Sequence, residues 1–429
     1  MCEWIDGELI VSFPKVDLAA LSLIEDIRLG LVDGVSHVES LAEKLGNLGL
    51  QADPNIEFDF HRLRVPTGQE LWKITYLQFF YKIKLVDVLQ HSHIPQTFWD
   101  ALRRSDYQFN VAPNNILSLA IKWPLQFAPS PPIRVADFTF SSFHSQYKSY
   151  LNVPPSTPPV NADQIRVLIV DTGIADDVPF QVADERNFVD PKNGIKATDD
   201  NGHGTAVALI INELIPDAKI IAYKAVDTSG RASEWDTLAS LAAKHDAHII
   251  NISLSFGLEA RKCKTCGRES ESSRSQVFET ILDQFENRAV KPILVAAAGN
   301  DGDAMLSYPA RFGQVLAIES ITSQKELSTF SNYGNRDPHD QVHSHRFTLP
   351  GGESDHTKLE SIGQFGSKGN PLWGTSFAAA YATGIVANIR AQLGIQAQSD
   401  AVLNTLLSSV DQNFVNYNQT EYGNGLLRL

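Results

Sequence analysis

Cysteine is scarce: the 429 residues contain three, Cys2, Cys263 and Cys266. So few thiols build no disulfide framework, so the fold must rest on an apolar core, and a reducing compartment is allowed. Long apolar runs are also missing. No stretch of about eighteen consecutive apolar residues occurs, which removes a helical membrane span. Basic residues are outnumbered, 36 Lys and Arg against 50 Asp and Glu for a formal net charge of -14, and they nowhere form a dense stripe. Binding a phosphate backbone needs such a stripe, so a nucleic-acid partner is excluded and the acidic balance reads as solubility. The first residues, MCEWIDGELIVSFPKVD, have neither the basic start nor the unbroken apolar core of a secretory leader, which gives the expectation of a cytoplasmic protein without a membrane partner. Internal repeats are absent too.

The length exceeds what one core holds comfortably and predicts a large domain of about 250 to 280 residues with a smaller one attached. Residues 7–13 and 56–65 read as strands, and 16–29, 36–48 and 69–90 carry apolar residues at helical spacing. Residues 1–110 are therefore expected to form a mostly helical N-terminal domain, regulatory or pro-domain-like. Its aromatic-rich run ELWKITYLQFFYKIKLVDVL reads as core rather than as a ligand site. Prolines at 113, 124, 129, 131 and 132, then NVPPSTPPVNAD, make 111–162 a connector and linker. From 163 to 429 buried apolar strands alternate with helices: RVLIV (166–170), a helix from His203 to Leu214, AKIIAYKAV, a helix over 234–245, HIINISLS, a helix over 275–289, and KPILVAAAGN. That alternation predicts an α/β fold, a parallel central sheet flanked by helices on both faces. Ligands of such sheets lie at the carboxyl ends of the strands.

Four polar residues fall at that edge. Gly374-Thr375-Ser376 leads straight into an Ala-rich run reaching about Leu393, so Ser376 sits at a helix N-terminus, where unpaired N–H groups favour a developing anion. In isolation such a serine is an ordinary N-cap. Asp171 ends the strand RVLIV, and His203 follows 32 residues later between two glycines in DDNGHGT. A histidine there can take a proton from a serine while its other nitrogen donates to an aspartate. Asn300, after ILVAAAG, offers a side-chain amide to an oxyanion beside the backbone N–H of Ser376, although a turn asparagine would look the same.

The order Asp, His, Asn, Ser in the contexts VLIVDTGI, DDNGHGTA, VAAAGN and GTSFAAA resembles the subtilisin-like serine proteases, the subtilases, over about residues 164–395. INISLS (250–255), Tyr308-Pro309-Ala310 and FSNYG (330–334) add to the resemblance. It implies Ser376 as nucleophile, His203 as general base and then acid, Asp171 as the residue that orients the imidazole, and Asn300 as oxyanion donor. It further implies one wall of the specificity pocket at Ser253, Leu254 and Ser255 and the other at Ala297, Ala298 and Gly299, with polypeptides as substrates. Asp200 would either favour a basic substrate residue or cap the helix that His203 opens. Two departures from the family pattern stand out, Ala206 after HGT and Ala380 where the family has proline.

The resemblance also raises autoinhibition by residues 1–110, with cleavage in the linker 151–162; a targeting or partner-binding role for the same residues is the alternative. No cofactor is required; the acidic loops could hold calcium, although no spacing commits a site. Cys263-Lys-Thr-Cys266, in a charged insertion, leaves three readings open: half of a zinc site, a redox-responsive disulfide, or an inert loop. His339, His343, His345 and His356 belong to a polar surface segment. Two rival functions use the same fold, a catalytically silent binding or scaffold protein and a peptide ligase or cyclase.

Overall fold

The computed structural model describes residues 4–13, 58–64, 70–76, 110–119, 133–152, 159–191, 194, 196–256, 275–286, 288–334, 344–355, 357–414 and 417–429. They cluster into two compact units. The first comprises Met1–Ile116, Ser233–Lys244 and Glu259–Gln284; the second comprises Leu117–Ala232, His245–Leu258 and Phe285–Leu429.

In the first unit, strands β1 (Trp4–Phe13), β2 (Phe58–Arg64) and β3 (Glu70–Tyr76) are antiparallel with β3 in the middle, and the first half of β4 (Asn110–Leu119) pairs with the other side of β1. Strands β1 and β2 are the two predicted over 7–13 and 56–65. The helix predicted over 69–90 is corrected at its start, where Glu70–Tyr76 is a strand. Leu71, Trp72, Ile74, Thr75 and Tyr76 suit a pleated surface, and a partner on each side takes up the backbone groups that a helix would have satisfied internally. The helices predicted over 16–29 and 36–48 lie outside the described residues.

The span 111–162 also carries more order than a connector. Strand β4 runs into it, and β5 (Phe138–Phe140) and helix α1 (Ser142–Tyr150) follow. The prolines that prompted the connector reading stop at 132 and resume at 154, so nothing between forbids regular structure.

The second unit is built on a nine-stranded sheet. In chain order its strands and their neighbours are β6 (Arg166–Asp171), β7 (Val182–Asn187), β8 (Lys219–Lys224), the short β9 (Arg231–Ser233), β10 (Ile249–Ile252), β11 (Leu254–Phe256), β12 (Ile293–Ala297), β13 (Val315–Ile321), β14 (Arg346–Pro350), β15 (Gly363–Phe365), β16 (Asn370–Leu372), β17 (Val410–Asp411) and β18 (Leu426–Leu427). The order across the large sheet is β17-β18-β14-β13-β12-β10-β6-β8-β7, parallel from β7 to β18. Its middle strands β10 and β12 are buried at every residue, which is why they read as unbroken apolar runs.

Helix α2 (His203–Leu214) packs on β6 and on a long helix, Thr375–Leu393, which crosses β10, β12, β13 and β14. The helices predicted over 234–245 and 275–289 are α3 (Glu234–Ala242) and α4 (Gln276–Glu286), which cluster with the first unit apart from the last residues of α4, and the long one is α5. Helix α5 is buried from Thr375 to Ala391, as an Ala-rich helix apolar on all sides should be. Its approach to α2 is so close at Gly384 that a Cβ there would stand 2.6 Å from Cβ of Leu214.

Candidate active site

Strand β6 ends on Asp171 and α2 begins on His203; both side chains are almost wholly enclosed, at 1% and 0% exposure. Nδ1 of His203 donates to Oδ1 of Asp171 at 2.7 Å, and the backbone N–H of Thr172 donates to the same oxygen at 2.7 Å. Burying a polar group is costly unless it is hydrogen-bonded. Oδ2 of Asp171 and Nε2 of His203 are buried without a hydrogen-bond partner. An unsatisfied imidazole nitrogen in a packed interior costs stability and calls for an explanation.

The turn that presents His203 is held by Asp199. Its Oδ1 accepts from Thr172 Oγ1, Asn201 N and Gly202 N, and its Oδ2 from the N–H and hydroxyl of Thr205, all within 3.0 Å. Thr172 Oγ1 accepts in turn from Gly204 N at 2.9 Å, tying the end of β6 to the first turn of α2. At Gly204 an added Cβ would meet Gly173 O at 2.2 Å, so this crossing requires glycine. The helix-start role considered for Asp200 therefore belongs to Asp199. The side chain of Asp200 pairs instead with Lys224, a half-exposed contact that already neutralises it. The sequence offered two adjacent acids and no means to choose between them.

Ser376 is the second residue of α5 and fully buried. Gly374 before it takes φ +148°, and N–H groups in the first turn of a helix have no intrahelical acceptor. The Ser376 hydroxyl donates to the carbonyl of Ser253 at 3.2 Å. Asn300 follows the end of β12, and its Oδ1 accepts both the N–H of Thr375, at 3.0 Å, and the Thr375 hydroxyl, at 2.9 Å. A backbone N–H only donates, so the atom facing it is the amide oxygen, and Nδ2 is turned the other way. That Nδ2 is buried and unpartnered. Asn332, in the FSNYG segment, fixes the loop beyond: its Oδ1 accepts from Asp301 N at 2.8 Å and Asp303 N at 3.2 Å, and its N–H donates to Gly299 O at 3.0 Å. Asp199, Thr375 and Asn332 were missed as functional supports because each looks like an ordinary turn residue until its long-range partner is known.

The two wall segments leave neighbouring parallel strands in register. Ile252 of β10 stands opposite Ala296 of β12, so Ser253 and Ala297 continue side by side. Ser253, Leu254, Ala297, Ala298 and Gly299 are buried and Ser255 is partly open. Gly299 has φ +112° with Asn332 and Ser307 packed against its Cα. Against Leu254–Phe256 lies a strand from upstream in the same unit: Leu117, Ser118 and Leu119 pair antiparallel with Phe256, Ser255 and Leu254.

Among the described residues no three His, Cys, Asp or Glu side chains stand together as a metal site. Cys263, Cys266, His339, His343 and His356 lie outside them. No helix among the described residues is long and apolar enough to cross a membrane.

Comparison with known proteins gives this geometry a lineage. The chain is 28% identical over 238 residues to a thermostable alkaline protease of Halalkalibacterium halodurans, covering 53% of this chain and 57% of that protein. It is 29% identical over 240 residues to the minor extracellular protease Epr of Bacillus subtilis, covering 53% of this chain and 32% of that one. Subtilisin Savinase of Lederbergia lenta is 28% identical over 181 residues, covering 40% of this chain and 60% of that one. The matches thus span about a third to three fifths of these relatives. A solved lanthipeptide protease shares the fold with a TM-score of 0.51 at 19% identity, covering 67% of this chain and 91% of its own. The subtilase family model matches residues 82–425, which takes in every residue of the site above, and with the α/β sheet that carries them it places the chain in the subtilase family.

Proposed function

We propose that this chain is a serine endopeptidase hydrolysing peptide bonds through an acyl-enzyme on Ser376. The observation that carries the reading is the buried 2.7 Å hydrogen bond from His203 to Asp171, which leaves Nε2 of the imidazole unpartnered, with the His203 ring centred 5.5 Å from that of Phe377, the residue after Ser376. For the reaction the Ser376 hydroxyl exchanges the Ser253 carbonyl for Nε2 as its acceptor. His203 then removes its proton as the oxygen attacks a substrate carbonyl and returns it to the leaving amine, while Asp171 stabilises the imidazolium through Nδ1. Asn300 Nδ2 and the backbone N–H of Ser376 receive the charge on the carbonyl oxygen, and water releases the acyl group by the same relay. Neither Ala206 nor Ala380 removes an atom used in these steps.

A polypeptide substrate would bind as a strand along Leu254–Phe256, with the residue before the scissile bond between Ser253–Ser255 and Ala297–Gly299. Those small wall residues favour a medium or large apolar side chain there; a strict charged requirement in a peptide library would overturn this. Regulation fits the same edge. Leu117–Leu119 pairs along it, so a substrate strand would have to displace that segment, which supports an inhibitory contact that extends from residues 1–110 to this strand. Calcium has no residues assigned to it. The absence of a nucleic-acid partner rests on the net charge of -14.

One experiment tests the set. A fluorophosphonate probe is expected to label the wild type and not Ser376→Ala, with hydrolysed fragments appearing from a peptide mixture. Unlabelled wild type favours the silent scaffold, and products joined by new amide bonds favour a ligase or cyclase. Intact mass read alongside is expected to show activity rising as the chain is cut upstream of residue 133; full activity from the uncut chain would end the inhibitory reading.

A further inference from the structure

The stretch from Arg134 to Leu151 precedes the catalytic sheet and lies before residue 163, where the alternating pattern begins in the sequence. It nevertheless touches both helices that present the reacting groups. Strand β5 pairs antiparallel with β15, Phe138 opposite Phe365, and the two rings stack at 4.7 Å. The Phe365 ring lies against Gly202, the residue before His203: a Cβ at Gly202, where φ is +101°, would stand 2.7 Å from Phe365 Cζ. The turn that carries His203 is thus held between the Asp199 carboxylate on one side and the Phe365–Phe138 stack on the other.

Helix α1 makes the second contact. The imidazole of His144, 3% exposed, bonds Tyr381 through Nδ1 and Glu213 through Nε2, the latter at 2.7 Å. Tyr381 is five residues after Ser376 on α5, and Glu213 is ten after His203 on α2. One buried ring therefore joins the helix of the nucleophile to the helix of the base. Lys148 supports the same carboxylate at 2.6 Å, and Tyr147 donates to Glu360 at 2.7 Å. The far end is fastened where Leu429 N donates to Leu151 O at 3.0 Å.

We propose that residues 134–151 are a permanent strap of the catalytic unit, with Phe138 and His144 as positioning residues for His203 and Ser376. This rests on the endopeptidase reading above. It also moves the processing site: cleavage in the linker 151–162 followed by loss of the upstream piece would remove the strap, so an active enzyme keeps its chain from 133 onward.

The test compares Phe138→Ala and His144→Ala in the full chain with the conservative Phe138→Leu and His144→Gln. Leu427→Ala, on the outlying strand β18, serves as a control for lost stability. On a small ester substrate the two alanine variants are expected to lose about 5- to 30-fold in kcat with KM within twofold. The conservative variants should recover most of this, and Leu427→Ala should melt earlier with kcat per labelled site unchanged. Hydrogen exchange supplies a readout independent of activity: Phe138→Ala should raise exchange in 199–206 but not in 219–224. Alanine variants that keep wild-type kcat and exchange, or a control that loses kcat in step with them, would overturn the proposal. Failure of wild type to label with the probe while exchange in 199–206 still responds would instead sink the endopeptidase reading and leave the strap standing.

Discussion

The side-chain amide of Asn300 shows how much of the chemistry depends on one orientation. Two donors from Thr375 fix its oxygen, and the –NH2 is left buried without a partner; in the proposed mechanism it receives the oxyanion. Such a preorganised donor acts on the transition state and hardly on bound substrate. Asn300→Ala is expected to lower kcat about 10²- to 10³-fold with KM nearly unchanged, a magnitude borrowed from the corresponding donor in subtilisin itself. Steady-state kinetics on one peptide ester decides it; a change confined to KM would mean that the amide holds the substrate instead. At this scale the places of Asp171, His203 and Ser376 at a strand end or helix start, and of Asn300 beyond the end of a strand, were legible because each lies in a distinctive local pattern. Asp199 was not legible, since its five hydrogen bonds come from a turn whose shape two adjacent aspartates leave undetermined.

Elements made mostly of their own local pattern were read correctly, and those defined by partners were not. Helix α2 and strands β6, β10 and β12 lie where their apolar periodicity put them, whereas Glu70–Tyr76 is a strand because β1 and β2 take it from both sides. The crossing of α2 and α5 was likewise invisible, yet it sets the distance between the helices that begin with His203 and carry Ser376. Gly384 is the contact point. Replacing a helical glycine by alanine ordinarily gains about 1 kcal/mol. Here the new Cβ would lie 2.6 Å from Leu214 Cβ and 3.1 Å from its Cδ2. Overpacking of that kind costs about 1–3 kcal/mol, so the clash wins. Gly384→Ala is expected to lower both Tm and kcat, and adding Leu214→Ala should cost less in the variant than in the wild type. Strict additivity of the two in a double-mutant cycle would show that the helices do not touch there.

Across the whole molecule, two buried groups, His248 and Glu319, and the half-buried Glu213 set how stability varies with pH. Burial pushes Glu213 up, but the hydrogen bonds and charges of His144 and Lys148 outweigh it and bring the carboxyl to about 2 from 4.5. Burial lowers His248 from 6.5 to about 4, helped by Arg390 and Arg166. Burial raises Glu319 from 4.5 to about 8 against the opposing charge of Arg346. Stability rises with pH wherever the unfolded chain binds more protons. Glu213 is depressed, so its contribution is present above 4.5 and lost as pH falls towards 2. His248 stays neutral in the fold, so its contribution is lost between 6.5 and 4 as pH falls. Glu319 works the other way: the folded chain keeps a proton that the unfolded chain has released, and stability falls as pH rises from 4.5 through 8. Between 4.5 and 6.5 the last two slopes oppose each other, leaving a plateau with an acid limb from Glu213 and an alkaline limb from Glu319. Glu319→Gln keeps the shape and removes the proton, so its Tm should hold steady from about pH 6.5 to 9 while the wild type declines. Parallel melting curves for the two over that range would assign the alkaline limb to other groups.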